Sequence, residues 1–477
     1  MVSDNSSHNS SKTLEEIGIE ILPVNTGQGK VHAKRIGGFF RNFKWWAASF
    51  WIILFVGPYM RWNGEQAILW DIPNRQFNIF GLTILPQDIW MLSLILLFFA
   101  LLLAVSTAIA GRVWCGYFCF QTVWTDVFTW IEEKIEGQPH KRHKLDEQPM
   151  NMEKLQKRVM KHSAWLFISF MTAFSFIAYF VDVFELWGQL FSLTASGFVW
   201  AELLIIGIMT YLAAGIMREQ ICLWVCPYAR IQGAMVDQET IMPTYDKDRG
   251  EPRGRLKRTK KDTEEEATKQ GDCIDCNLCV AVCPTGIDIR QGQQYGCITC
   301  GLCIDACDSV MDKLKKPRGL VRYASIADFA GVELPPIYKR PRVIVYSSIM
   351  AAAFVGILYG FIAMAPMTMN VLHERNPLFV QLSTGEVQNK YTIKVVNKTD
   401  KVMNVELSVE GIEGIRMAGV DGLFEVQPGN VRALSAFVKA PKRNLSGEST
   451  PIKIIAYDVD DPTKKVVYDS MFIGPRY

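Results

Sequence analysis

Long apolar runs separated by polar connections occupy most of the chain. A helix needs about 20 apolar residues to cross the hydrocarbon core of a bilayer. Five runs reach or approach that length and predict membrane-spanning helices at residues 45–60, 89–111, 163–181, 195–217 and 343–372. The first run is the shortest, but the basic side chains that flank it can extend to the membrane surface. Glu202 lies inside the fourth, near its outer end, where it is either a functional group or a carboxylate that reaches water.

The basic residues of the connections predict the orientation of the spans. Residues 112–162 contain nine Lys and Arg, whereas residues 61–88 contain two and residues 182–194 contain none. Because Lys and Arg collect on the cytoplasmic side, we expect the amino terminus in the cytoplasm. In a bacterial inner membrane, a multi-pass chain of this kind would then place residues 373–477 in the periplasm.

Beyond the last apolar run, the pattern changes to short segments in which apolar and polar residues alternate. YTIKVVN, MNVELSV, VRALSAFV and VVYDSMFI show it, with turn sequences such as QPGN and DVDDP between them. This alternation predicts an all-β, immunoglobulin-like sandwich. The segment contains no cysteine, so its core must hold without a disulfide. We expect it to bind a partner subunit or a second copy of the chain, as in a homodimer.

Composition narrows the class of protein. Hydrophobic residues make up 49% of the 477 residues and charged residues 21%, which excludes a disordered chain. The 51 Lys and Arg against 48 Asp and Glu leave a net charge of +3, so no general affinity for nucleic acid is implied. The fold class is therefore an α-helical polytopic membrane protein with a cytoplasmic insert and a carboxy-terminal β domain.

The cysteines supply the candidate chemistry of the insert. All twelve belong to two pairs and two runs of four, and by the predicted orientation all lie on the cytoplasmic side, where thiols stay reduced. The runs, CIDCNLCVAVCP and CITCGLCIDAC, share the spacing CxxCxxCxxxC of two-cluster bacterial ferredoxins, in which the fourth cysteine of each run binds the other cluster. One 4Fe-4S cluster is thus assigned to Cys273, Cys276, Cys279 and Cys307, and the second to Cys297, Cys300, Cys303 and Cys283. Two zinc knuckles are the alternative.

The two cysteine pairs form an internal repeat. Cys115 and Cys119 follow the second apolar run, and Cys222 and Cys226 follow the fourth, each with the spacing CxxxC. Residues four apart share one face of a helix, so each pair could present two sulfurs in one direction. Four convergent thiols would select Cu(I), Zn or an iron-sulfur cluster. Buried cysteines that only pack are the alternative.

These residues resemble a known family. The segments WCGYFCFQTVWTD, ICLWVCPYARIQGAMVDQETIMPTYDKDRGEPRG and CIDCNLCVAVCPTGIDIRQGQQYGCITC are similar to those of the FixG/CcoG family of cytochrome oxidase accessory proteins, and the likeness runs from Lys34 to the end. The resemblance implies a membrane polyferredoxin that reduces Cu(II) to Cu(I) for assembly of a cbb3-type oxidase. It also implies that the four pair cysteines are the catalytic, copper-binding residues and that copper ions, a copper chaperone and oxidase subunits or assembly factors are the partners.

The resulting domain organisation is a cytoplasmic tail (1–43), a four-helix membrane region (44–230), a charged linker (231–270), the ferredoxin domain (271–320), a second linker (321–342), the fifth span (343–372) and the periplasmic domain (373–477). Two other functions remain open from the residues. The chain could relay electrons from quinol to a protein acceptor, or it could be a non-enzymatic scaffold for oxidase assembly. The electron donor is not predicted.

Overall fold

The structure is a computed structural model that describes residues 31, 33–73, 76–80, 82–84, 89–254, 271–329, 331–363, 365–399, 401–420, 422–461 and 464–475. Most of the predicted amino-terminal tail and the end of the charged linker lie outside these residues. The described chain forms two compact units. The first takes in the residues up to Val56, Leu94–Ile177 and Gln189–Val355. The second takes in Gly57–Ser93, Ala178–Gly188 and the residues from Gly356 onward.

Helices make up most of the chain before the β domain. In chain order they are α1 (Phe39–Ala48), α2 (Ile52–Val56), α3 (Ile89–Ala110), α4 (Val113–Tyr117), α5 (Phe120–Glu136), α6 (Pro139–Glu147), α7 (Met152–Ile177), α8 (Val183–Phe191), α9 (Gly197–Thr210), α10 (Pro227–Met235), α11 (Lys247–Gly250), α12 (Leu278–Ala281), α13 (Leu302–Lys313), α14 (Ile326–Phe329) and α15 (Pro341–Ala363). Two π-helical segments, Tyr211–Met217 and Ile221–Val225, follow α9. Such segments frequently lie at functional sites.

Three helices of the described residues are long and apolar enough to cross a membrane: Trp90–Ala110, Gly197–Met217 and Pro341–Ala363. They correspond to the second, fourth and fifth predicted spans. In the first, residues 45–60, the helical path is interrupted by 3-10 turns at Ser49–Trp51 and Gly57–Tyr59. In the third, residues 163–181, α7 begins well before the apolar run and ends at Ile177. Three of the five predicted spans therefore coincide with a long apolar helix of the described residues.

The fifth apolar run was predicted to stay helical to Leu372, and here the prediction is wrong. The helix α15 ends at Ala363, and Met367–His373 form the first strand of the β domain. Pro366, which lies between them, cannot continue a helical hydrogen-bond ladder. Hydropathy alone does not distinguish an apolar helix from an apolar strand, so it could not predict where the helix ends and the strand begins.

The ferredoxin insert is closed by a two-stranded antiparallel sheet. Strand β6 (Met242–Tyr245) precedes the cysteine runs and pairs with β7 (Val321–Ala324), which follows them. The short helices α12 and α13 lie between these strands. Their apolar faces share a buried core with the strand ends, formed by Tyr245, Ile274, Ile289, Ile304, Val310, Met311, Leu320 and Val321.

The carboxy-terminal residues form the predicted immunoglobulin-like sandwich of two antiparallel sheets. One sheet has the order β12 (Arg416–Ala418), β14 (Val431–Pro441), β10 (Glu386–Asn397) and β8 (Met367–His373), with β9 (Val380–Gln381) also on β10. The other has the order β13 (Phe424–Val426), β11 (Met403–Glu410), β15 (Ser449–Asp458) and β16 (Lys465–Ile473). Alternate residues of β10 are buried, and the Tyr391 hydroxyl donates to the carbonyl of Met471 at 2.8 Å.

The second unit also contains short strands that the sequence pattern did not predict. Strands β1 (Arg61–Trp62) and β2 (Glu65–Gln66) pair with each other, and β3 (Ile68–Asp71), β4 (Gln76–Ile79) and β5 (Leu82–Ile84) form a small antiparallel sheet. They lie in the connection between the first two predicted spans. Such two- to four-residue strands leave too little periodicity to recognise.

Candidate functional site

The two four-cysteine runs fold into loops with the same backbone conformation. Asp275 and Asn277 in the first loop, and Thr299 and Gly301 in the second, all adopt left-handed conformations at φ between 54° and 69°. These residues occupy corresponding places between the first three cysteines of each run. Left-handed backbone is rare outside glycine and asparagine, and it turns each loop tightly so that its sulfurs point inward.

Each loop surrounds a cavity together with the fourth cysteine of the other run. Cys273, Cys276, Cys279 and Cys307 line the first cavity. The second cavity is lined by Cys283, Cys297, Cys300 and Cys303, with Cys279 also at its wall. The structure thus brings together the two sets of four that the crossed ferredoxin pattern assigns.

Buried sulfurs of this kind suit a polynuclear iron-sulfur group. The pKa of Cys297 and that of Cys307 are raised to about 12, mainly by burial and in smaller part by neighbouring sulfurs. A cationic iron-sulfur core that binds thiolates offsets this penalty. Within the described residues, no three His, Cys, Asp or Glu side chains are placed to hold a single metal ion.

The four membrane cysteines lie at matching breaks in two helical segments. Cys115 is in α4, and Cys119 leaves the helix with extended backbone before α5 begins. Cys222 is in the second π-helical segment, and Cys226 is again extended, directly before Pro227 and α10. The prediction that each pair shares one face of a regular helix is therefore wrong, because the second cysteine of each pair precedes a new helix.

The four cysteines lie near one another, although no three of them are placed to hold one metal ion. The pKa of Cys115 is raised to about 11 and that of Cys222 to about 12, mainly by burial and in smaller part by negative charge on the other sulfurs of the group. We call these four residues the membrane thiol group. The Cys115 thiol also donates to Oε1 of Gln232 at 3.0 Å. Gln232 in turn donates to the hydroxyls of Thr107 and Tyr228, at 3.0 Å and 2.7 Å, which fixes the orientation of its amide.

The turn that carries Cys115 packs directly on the loop of the second ferredoxin cavity. A Cβ atom at Gly116 would lie 2.6 Å from the carbonyl oxygen of Ile298. The Tyr117 hydroxyl donates to the carbonyl of Cys300 at 3.0 Å. Cys115, Ile298 and Cys300 belong to one buried apolar cluster. The membrane thiol group and the second cavity therefore share a wall.

Arg112 is a buried cation at this wall. It is 1% exposed, its Nη1 donates to the carbonyl of Tyr295 at 2.9 Å, and its backbone N–H donates to Thr299 Oγ1 at 3.1 Å. Among the described residues its Nε and Nη2 have no hydrogen-bond partner. Its positive charge lowers the pKa of Cys115 and of Cys297 and so opposes the effect of burial. A buried guanidinium without a carboxylate partner among the described residues favours negative charge nearby, which thiolates would supply.

A buried ionic network supports the segment that carries Cys222. Arg218 lies between the two π-helical segments in a left-handed conformation, at φ 42°. Its guanidinium donates to Glu132 of α5 at 2.8 Å. Glu132 also lies 2.9 Å from Arg142 and 3.5 Å from Lys161, and all four side chains are almost fully buried. The network therefore fixes an irregular backbone next to the thiol group.

Sequence reasoning found the twelve cysteines but missed the residues that connect them. Arg112 and Gly116 adjoin the first CxxxC pair, so their proximity to that motif was the available signal. Gln232 is six residues after Cys226, within the quoted segment ICLWVCPYARIQG, but nothing in its residue type marked it as a partner of a thiol. Glu202 is half-buried in α9 and lines neither ferredoxin cavity.

Three family models match the chain. A 4Fe-4S dicluster domain matches residues 217–326, a 4Fe-4S binding domain matches residues 92–137, and the IG-like fold at the C-terminal of FixG matches residues 357–475. The first two together contain all twelve cysteines.

Curated relatives match nearly the whole chain. Nitrogen fixation protein FixG of Rhizobium meliloti is 38% identical over 95% of this chain and 94% of its own. Protein RdxB of Cereibacter sphaeroides is 40% identical over 88% of this chain and 90% of its own. A crystal structure of a FixG-related protein from Vibrio parahaemolyticus is 33% identical and covers 23% of this chain and 97% of that one, with a TM-score of 0.21. The chain therefore belongs to the FixG/CcoG family and is an iron-sulfur electron-transfer protein.

Proposed function

We propose that this protein reduces Cu(II) to Cu(I) at the membrane thiol group and that the product serves assembly of a cbb3-type oxidase. The observation that carries the proposal is the shared wall between the second ferredoxin cavity and the turn of Cys115. Gly116 and Tyr117 hold the two sites in direct contact there. A redox site and a set of soft ligands are thus adjacent on the predicted cytoplasmic side.

The eight ferredoxin cysteines are the proposed ligands of two 4Fe-4S clusters, in the crossed sets described above. When bound, such clusters accept and release single electrons. The chain's own residues supply the remaining parts of the site. Apolar side chains around both cavities exclude water, and Arg112 provides positive charge where electrons and thiolates add negative charge.

Copper enters this proposal as the substrate. Cu(II) gains one electron from the reduced protein and becomes Cu(I), and an external one-electron reductant on the cytoplasmic side restores the protein. Thiolate ligands prefer Cu(I), so the group that promotes reduction also retains the product. Binding at Cys115 and Cys222 requires their protons to leave, and Arg112 stabilises the resulting charge.

The test is a single-turnover reaction under strict exclusion of oxygen. The full-length protein is reduced, separated from reductant, and mixed with Cu(II) and a Cu(I)-specific chelator. We expect one Cu(I) for each electron lost from the visible iron-sulfur absorbance. Cys115→Ser/Cys222→Ser should keep that absorbance but lose the reaction, whereas Cys297→Ser, at the second cavity, should lose about half of the absorbance as well as the reaction. Unchanged reduction in the double variant would remove the membrane thiol group from the mechanism.

A second candidate has an observation of its own. The 4Fe-4S binding model that matches residues 92–137 includes Cys115 and Cys119, so the membrane thiol group could hold a third cluster and relay electrons to a protein acceptor. Iron analysis of anaerobically isolated protein separates the two, because two clusters require eight iron atoms per chain and three require twelve.

The orientation and partners belong to the same proposal. We place the immunoglobulin-like domain in the periplasm, where it would bind oxidase subunits, an assembly factor or a copper chaperone. Labelling of a single introduced cysteine in that domain with an impermeant reagent tests the orientation. Labelling in spheroplasts supports it, and labelling only after lysis contradicts it.

A further inference from the structure

Another cavity, of about 40 Å³, lies in the first unit beside the membrane thiol group. Its walls come from the segment before α1, from α1 and α5, from the Arg218 turn, and from the second ferredoxin loop. Cys222 lines it as well. A buried water occupies about 10–15 Å³ on this measure, so the cavity has room for about three waters or one small oxyanion.

Positive charge dominates the cavity wall. Four lining side chains, Arg35, Arg41, Lys44 and Arg218, are cationic, and two, Asp126 and Glu219, are carboxylates. Asp126 must serve three of the cations at once, at 2.8 Å from Arg35, 2.8 Å from Arg41 and 3.4 Å from Lys44. Two carboxylates outside the lining also contribute: Glu133 lies 3.4 Å from Arg35, and Glu132 lies 2.8 Å from Arg218. The three cations around Asp126 therefore meet two carboxylates, Asp126 and Glu133, which leaves one positive charge unbalanced.

Two polar atoms of lining residues also lack a partner. Among the described residues, Arg41 Nε and Thr122 Oγ1 make no hydrogen bond, although the two residues are only 7% and 6% exposed. A buried donor without an acceptor costs free energy, so native structures rarely leave one unpaired. An acceptor inside the cavity would satisfy both atoms.

We propose that this cavity binds a phosphate group. Its oxygens would accept hydrogen bonds from Arg41 Nε and the Thr122 hydroxyl, and its negative charge would balance the positive charge left by the three cations that share Asp126. Phosphate and guanidinium are well matched in charge and geometry. Water alone would satisfy the two donors but leave the charge unbalanced.

The phosphate group has two possible sources. Arg35 and Arg41 also line an open groove that carries Trp45, Trp130 and Lys141. Aromatic and basic side chains of this kind suit the headgroup region of a membrane. The phosphate could therefore be inorganic and enter from the cytoplasm, or it could belong to a lipid headgroup that enters through the groove.

The experiment uses the full-length, cluster-containing protein in a phosphate-free, non-ionic detergent. The thermal unfolding midpoint and the heat of binding are followed during titration with inorganic phosphate, with dihexanoyl phosphatidylglycerol, or with chloride at the same ionic strength. We expect a saturable response to phosphate, to the soluble lipid, or to both, and none to chloride. A response to phosphate alone identifies the free ion, and a response to the lipid alone identifies a headgroup.

Two variants tie the response to the cavity. Thr122→Val removes one hydroxyl without changing charge or shape and should weaken binding about tenfold, the loss of one hydrogen bond to a charged group. Thr210→Val changes another buried threonine, 6% exposed, that does not line the cavity, and should bind like the wild type. Equal responses to phosphate, lipid and chloride, or equal binding by Thr122→Val and wild type, would overturn the proposal.

Discussion

Replacement of Gly116 by alanine should separate the membrane thiol group from the second ferredoxin loop. A Cβ atom at this position would lie 2.6 Å from the carbonyl oxygen of Ile298 and 3.0 Å from the Cα of Cys300. Both neighbours are backbone atoms, so no side-chain rotation can relieve the contact. Either the turn of Cys115 or the cysteine loop must move.

The required movement follows from the distances. Ordinary van der Waals contact begins near 3.4 Å, so the two backbones must separate by about 0.8 Å. Overpacking of this kind typically costs about 1–3 kcal/mol. A misplacement near 1 Å can also slow a reaction by about a hundredfold when the reacting groups must be held in place. We therefore expect Gly116→Ala to lower the thermal unfolding midpoint and to slow Cu(II) reduction about tenfold or more.

Gly37→Ala is the matched control, because a Cβ atom at Gly37 has no neighbour within 4 Å. Both variants are measured by thermal unfolding and by stopped-flow reaction of the prereduced protein with Cu(II), with iron content determined in parallel. If Gly116→Ala keeps its iron, unfolds like Gly37→Ala and reduces Cu(II) at the same rate, then the shared wall does not connect the two sites.

Three further substitutions test the charges around the site. Arg112→Leu should lower the reduction potential of the second cluster, because loss of one buried cation near Cys297 removes about 1–4 kcal/mol of stabilisation for added negative charge. A redox titration followed by EPR measures this potential, and Arg112→Lys should restore most of it. Glu132→Gln should destabilise the protein by about 3–5 kcal/mol, since three buried cations lose their shared carboxylate, whereas the exposed Glu153→Gln should have little effect on the unfolding midpoint. Burial opposes ionisation of Asp126, but Lys44 and its neighbouring cations lower the pKa of this carboxyl to about 2. Above pH 3.8, the ordinary pKa of an aspartate, its ion pairs should therefore stabilise the protein fully. This contribution should be lost as the pH falls from 3.8 towards 2. Asp126→Asn should abolish this pH dependence in acid-unfolding curves.

The cysteine spacing predicted the ferredoxin cavities well because their geometry is local. Three cysteines within seven residues can surround one cavity only if the loop turns tightly, and the left-handed residues at Asp275 and Thr299 provide that turn. The fourth cysteine of the first run, Cys283, comes two residues after α12 ends, and that of the second, Cys307, lies within α13. Each thereby reaches the other cavity. The sequence contains each of these elements within one short segment.

The membrane thiol group was predicted for a partly wrong reason. The repeat indicated four neighbouring sulfurs, and the four cysteines do lie near one another, but the helix-face argument assumed one regular helix through each pair. Pro227 directly after Cys226 already signalled the start of a new helix. The chain also leaves the helix at Cys119, but no proline follows that residue. Gly116 and Tyr117 just before it contact the ferredoxin loop, which is distant in sequence.

The charges around the two ferredoxin cavities suggest a direction for electron flow. Near the first cavity, Arg290 acts on Cys279, but two carboxylates, Asp275 and Asp288, share its charge. Around the second cavity, Arg112 acts on Cys297 without an ion-pair partner among the described residues, and Lys44 and Arg41, which also pair with Asp126, act on Cys300. An added electron is stabilised by nearby positive charge. We therefore expect electrons to collect at the second cavity, which is the one that shares its wall with the membrane thiol group.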